Sequence, residues 1–280
     1  GVAVKAEGSS VTIAEGGQIT VPKGTNYGYY ALAAYNGEIN MNMGEDGATV
    51  GTDDVVLNGD LFALENGAIN VALVTANSEL NGIVDSDGET SIYLQNGATW
   101  NNVQNNERYV LDYEDAGSGS FDKDGNYVGV SHVTNLYGGD SSEYAGIIKQ
   151  GTGSAELNID NYSGHTVVYY DHDVTTPATI YGGDVKINKA AEGSAIVVST
   201  LPTFDVTNKN TVDAVMGSLA GKLYYTDYVN DNLDATVQIA EGLVTGAVSK
   251  RVGDIEFETL KGQGKLDTGS IKDVGGQDPT

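Results

Sequence analysis

Cysteine is missing altogether from the 280 residues, proline occurs only four times, and 14 basic side chains face 39 acidic ones. Each shortage removes a class of protein. Without thiols there is neither a disulfide framework nor a thiolate metal site. At a formal net charge of −25 the chain lacks the cationic footprint that displaces counterions from phosphates, which excludes nucleic-acid binding. No apolar run reaches the roughly 18 residues that a membrane-spanning helix requires. Disorder is excluded as well, because 40% of the residues are hydrophobic, enough for a packed core. What the chain has in quantity is Gly (38), Tyr (17) and Asn. That is a composition of strands and turns, so the expected fold class is all-β.

Self-similarity gives the architecture. Asn-Gly pairs stand at Asn36, Asn58, Asn66, Asn81 and Asn96, and three of them, at 36, 66 and 96, begin aligned phrases thirty residues apart. Asn-Gly accepts positive φ at low cost and marks hairpins. The fixed spacing favours instead a β-solenoid whose coils turn at equivalent corners. Between the corners, apolar side chains recur at every second position, as in Glu38–Met43 and Ala68–Val74, and again in Ser78–Val84, Thr90–Leu94, Ala155–Ile159 and Val185–Ile187. That period places one face inward and leaves Asn outward. At about 20 to 30 residues per coil and about 4.8 Å per stacked strand, the expectation is on the order of ten coils. One segment departs from the strand period. Val212, Val215, Met216, Leu219 and Leu223 fall on one face of a helix over 211–223, with Asn210 or Thr211 as its cap.

These residues carry a family resemblance. The phrase Gly97-Ala98-Thr99-Trp100-Asn101-Asn102, and then the succession from Val133-Thr134-Asn135-Leu136-Tyr137 through Leu157–Gly164 and Asn210–Tyr225 to Val237–Leu243, resembles the passenger domains of bacterial autotransporter adhesins, type V secretion proteins of the kind found in didermic anaerobes. The likeness covers roughly residues 90–262. It implies a right-handed parallel β-helix, exposure on the bacterial cell surface, and a role in adhesion, autoaggregation or biofilm formation. It supplies no catalytic residue. The lack of cysteine agrees with it, since a periplasmic disulfide would close a loop in a chain that must be exported unfolded.

The implied organisation is a single β-helical segment over 1–270: an acidic Asn-Gly part (1–107), a protruding loop or hairpin (108–130), and a module with the helix (131–270). The tail 271–280 is expected to be flexible. A first residue of Gly is expected for a mature or excised piece whose membrane barrel, the anchor of such a passenger, is not in this sequence.

Candidate chemistry is sparse. Gly138-Gly139-Asp140-Ser141-Ser142 resembles a serine-hydrolase signature, but His132 stands only nine residues before Ser141 and Asp171-His172-Asp173 are contiguous. A corner is the better reading, and no enzyme is expected. Asp122, Asp124 and Asn126 place oxygens at alternate positions, as a calcium loop begins. Tyr127 then stands where an EF-hand has Gly, and Val133 where it has Glu. These three are the candidate calcium ligands, with Asp112, Glu114 and Asp115 close by in sequence; no other cofactor is implied, and a hairpin turn at Asp124-Gly125 is the simpler reading. His132, His165 and His172 lack metal-ligand spacing. Outward tyrosines can meet sugars or a protein partner, so the binding candidates are Tyr27, Tyr29 and Tyr30, with Asp112 and Asp115 in the protruding loop. The expected partners are a surface protein or glycan, or a second copy of the chain. A carbohydrate-binding or carbohydrate-cleaving β-helix is the alternative function. From residue 24 to 107 there are acidic but no basic residues, an anionic flank that favours basic or cation-bridged partners.

Overall fold

A computed structural model describes residues 1–22, 30–105, 120–121, 127–226, 232–239, 244–247, 251–252 and 272–273. Within them the chain is mostly strand, arranged in three long sheets. The first sheet holds Val2–Glu7, Tyr30–Tyr35, Asp60–Leu64 and Val84–Ser86. The second begins with Ser10–Ile13, Glu38–Met41, Ala68–Leu73 and Glu89–Leu94, and continues through Val130–Tyr137, Glu156–Ser163, Val185–Ala190 and Leu223–Thr226. The third begins with Gly17–Thr20, Val55–Asn58, Glu79–Asn81 and Thr99–Asn101, and continues through Gly146–Gln150, His165–His172, Ser194–Thr200 and Leu233–Ile239. Every one of these neighbours pairs in parallel, and the chain visits the sheets in rotation. Short added strands pair antiparallel, such as Ile180–Tyr181 beside His165–His172 and Val244–Ala247 beside Leu233–Ile239.

Period-two patterning drives this arrangement. In the third sheet the inward residues form an unbroken cross-strand column: Leu57, Leu80, Trp100, Ile148, Val168, Val198 and Val237. Columns from the second sheet (Val71, Ile92, Leu136) and the first (Leu32, Leu61, Val84) meet it in one continuous apolar core. At about 25 cal/mol per Å² of buried apolar surface, such columns are the main source of stability.

The first sheet stops at Val84–Ser86, while the other two continue. In the later part the step from a third-sheet strand to the next second-sheet strand is made by loops and, once, by the helix Lys209–Ala220. Val212, Val215, Met216 and Leu219 are its buried face, as the spacing predicts. Its start differs from the expectation. Asn208 is the cap, its side chain accepting from the Thr211 N–H at 3.2 Å, so Asn210 and Thr211 lie inside the first turn. Leu223 belongs to the strand that follows the helix.

Three further expectations are corrected. Asn36-Gly37 and Asn66-Gly67 join first-sheet to second-sheet strands, and Asn66 Nδ2 donates to Asn36 Oδ1 at 3.4 Å. Asn96-Gly97 joins the second sheet to the third, so its thirty-residue spacing does not make it an equivalent turn. Ser78–Val84 is likewise split between two sheets at Gly82-Ile83. Nor is Asn40 solvated: it is fully buried and accepts from Asn70 Nδ2 at 2.9 Å, under the excursion that carries Gly47.

Candidate functional site

The outward face of the third sheet carries a second column, and it is polar. Thr20, Asn58, Asn81, Asn101, Lys149, Tyr169, Ser199 and Gln238 stand in register on successive strands. At the N-terminal end the column satisfies itself. Asn58 Nδ2 donates to Thr20 Oγ1 at 3.0 Å, and Asn81 Nδ2 donates to Asn58 Oδ1 at 2.8 Å. From Asn101 onward it opens into a cleft of about 840 Å³, within the size range of small-molecule sites.

The floor of the cleft is the outward surface of three strands, with Asn101, Ile147, Lys149, Tyr169 and Asp171. Its walls are the 173–181 segment, bearing Val174 and Tyr181, and the 201–203 segment, bearing Leu201. Val174 (76%) and Leu201 (71%) are strongly exposed for apolar residues. The walls are fixed by hydrogen bonds. Asp173 Oδ1 accepts from the Thr175 and Thr176 N–H groups at 2.9 and 2.7 Å, and its Oδ2 accepts from the Tyr181 hydroxyl at 2.9 Å. His172 Nδ1 lies 2.9 Å from the Asp173 carbonyl, and Nε2 lies 3.1 Å from the Thr203 N–H and 3.2 Å from the Leu201 carbonyl. Its ring meets Phe204 edge-on at 5.1 Å. His172 therefore fastens one wall to the other.

Four polar groups on the floor remain open. The Asn101 amide, the Lys149 ammonium and the Tyr169 hydroxyl have no hydrogen-bonding partner among the described residues, and Asp171 uses only Oδ2, which accepts from the Thr152 N–H at 2.6 Å. An aromatic ring, two donors and a carboxylate oxygen converge on one concavity. That set suits reversible binding. The Thr176 N–H first, then the Tyr181 hydroxyl and the Thr175 N–H, hold the Asp173 carboxyl below the usual carboxylate range.

A shallower groove follows the turns between the first and second sheets, where Glu65, Asp87, Glu89 and Asp160 surround His132. His132 Nε2 contacts Asp160 Oδ2 at 2.9 Å and Nδ1 contacts the Ser86 carbonyl at 2.9 Å. The Asp160 hydrogen bond pushes the imidazole above its ordinary value, aided by Ser86 and opposed by partial burial. A raised folded value means that the bridge stabilises fully below the unfolded value of about 6.5 and loses that contribution as pH rises through the folded one. Asp160→Asn should therefore lower the His132 titration midpoint in an NMR pH series. It should also reduce thermal stability at pH 6 but leave it unchanged at pH 9.

Of the binding residues expected from sequence, Tyr30 is buried in the first sheet, its ring stacked on Phe62 at 4.7 Å. Tyr27, Tyr29, Asp112, Asp115, Asp122, Asp124 and Asn126 lie outside the described residues. Ser141 precedes a single 3-10 turn, Ser142–Tyr144. Among the described residues no three His, Asp or Glu side chains are grouped to hold a metal ion. The cleft was missed because its floor comes from strands nearly fifty residues apart. The one legible signal was Lys149, an isolated cation in an alternating strand.

Compared with protein-family models, with curated proteins and with solved structures, the chain matches none.

Proposed function

We propose that this chain is a right-handed parallel β-helix, a β-solenoid whose first coils are three-sided, that acts as a non-catalytic adhesive module on the outside of a bacterial cell. The observation that carries the adhesive reading is the cleft, with four polar groups left open among the described residues on the outward face of the third sheet. Rotation through three parallel sheets supports the solenoid, and the right-handedness of nearly all parallel crossovers supports the hand. The cysteine-free composition and the likeness to autotransporter passengers support export and surface display. A glycan-binding module is the second reading, favoured by Tyr169 and Tyr181 in the cleft.

The test is to display residues 1–280 on a non-adherent bacterium and to score cell aggregation and retention on a glycan array, with a reducing-sugar assay of the purified chain on the same glycans. Adhesion without turnover is expected. Adhesion no greater than that of cells with an empty display scaffold, or measurable sugar release, would overturn the proposal.

A further inference from the structure

We infer that the cleft on the third sheet is built for a saccharide that carries a carboxylate, with Lys149 and Asn101 as its anion-recognising pair. This rests on the adhesive reading of that cleft and adds the chemistry of the ligand. Asn101, Lys149 and Tyr169 occupy the same register position on three adjacent strands. Two steps of about 4.8 Å spread them over roughly 10 Å, about the length of two pyranose rings.

Charge decides which saccharide. At a net charge of −25, an unpaired ammonium would be expected to recruit one of the chain's own carboxylates. Lys149 is exposed and recruits none among the described residues: Asp171, which shares the cleft, turns one oxygen to the Thr152 N–H instead. Lysine gives a point charge and the neighbouring amide adds a directional N–H, which together suit a carboxylate oxygen. The Tyr169 ring offers an apolar face with a hydroxyl handle for the adjoining sugar. Asp171 Oδ1 is an acceptor for sugar hydroxyls, which a second carboxylate at that end would not satisfy. One cation at one end and one acceptor at the other fit a ligand with both an acid group and hydroxyls.

Calorimetric titration of the full chain with trimannuronate, with mannotriose, and with a triglutamate peptide tests the inference. Trimannuronate is expected to bind about fivefold more tightly than mannotriose, the worth of one exposed ion pair. Lys149→Gln should erase that preference by weakening trimannuronate binding to the level of mannotriose. Tyr169→Ala should weaken both sugars about tenfold. Both side chains point away from the core, so circular dichroism and melting should be unchanged, and Lys149→Arg should retain the preference if a variant misfolds. Saturable binding of neither sugar, a preference that survives Lys149→Gln, or triglutamate binding as tight as trimannuronate would overturn the inference. A displayed chain that adheres yet binds neither sugar defeats this ligand assignment alone. One that binds trimannuronate without adhering defeats the adhesive reading alone.

Discussion

Replacing Trp100 by Ala is expected to lower the free energy of unfolding by about 3–5 kcal/mol, the range for deleting a buried indole from a packed core. Trp100 is fully buried in the inward column of the third sheet, with Leu80 on one side and Ile148 on the other, and its Nε1 donates to the Gly82 carbonyl at 2.9 Å. The substitution opens a void between parallel strands that cannot close without breaking their hydrogen bonds. It also leaves a carbonyl without its partner. Domains of ordinary stability have only about 5–15 kcal/mol in total, so a large share is lost. Trp100→Phe keeps most of the volume and forfeits the hydrogen bond, and it should cost about 1–2 kcal/mol. Urea denaturation followed by far-UV circular dichroism separates the two; equal losses would mean that the hydrogen bond, not the volume, matters.

The second large effect lies at the turns between the first and second sheets. Gly37, Gly67 and Gly88 stand one above another, and a Cβ on Gly67 would sit 2.3 Å from the Ala34 carbonyl oxygen. That neighbour is backbone, so it can give way only by shifting the strand below. The Gly67 carbonyl accepts from the Glu89 N–H at 2.9 Å and the Gly37 carbonyl from the Ala68 N–H at 2.8 Å, so a displaced turn disturbs the one above it. Gly67→Ala should therefore cost about 3 kcal/mol, at the upper end for overpacking. Gly8 is the control. It has φ +60° and nothing within 4 Å of a Cβ, so Gly8→Ala bears only the left-handed penalty of about 1–2 kcal/mol. If both variants melt alike, backbone conformation rather than close stacking governs these turns.

The strand period was legible wherever apolar side chains alternate. Ala68–Leu73, Glu89–Leu94 and Val185–Ala190 lie within a residue or a few of the expected segments, because alternate apolar positions admit no other face. The helix face was equally readable from Val212, Val215, Met216 and Leu219, whereas its cap was not, since Asn208, Asn210 and Thr211 are all competent caps. Asn96-Gly97 misled because successive returns of the chain differ in length: Asn70 bonds to a partner 30 residues away, Thr75 to one 21 residues away. A fixed period therefore fails after two repeats. The cleft was the least legible feature. Asn101, Lys149 and Tyr169 become neighbours only through register across a long excursion, and no local pattern encodes a contact between strands so distant in sequence.

The central claim is that adhesion comes from the open part of the third-sheet column and needs no chemistry. The most direct measurement is retention of displaying cells on a glycan array by the native chain and by the double variant Lys149→Gln, Tyr169→Ala, with both chains present at equal surface density. The account predicts that the double variant loses adhesion by about an order of magnitude or more, the combined worth of one ion pair and one aromatic contact, while its melting temperature is unchanged. Undiminished adhesion by a folded double variant would contradict it.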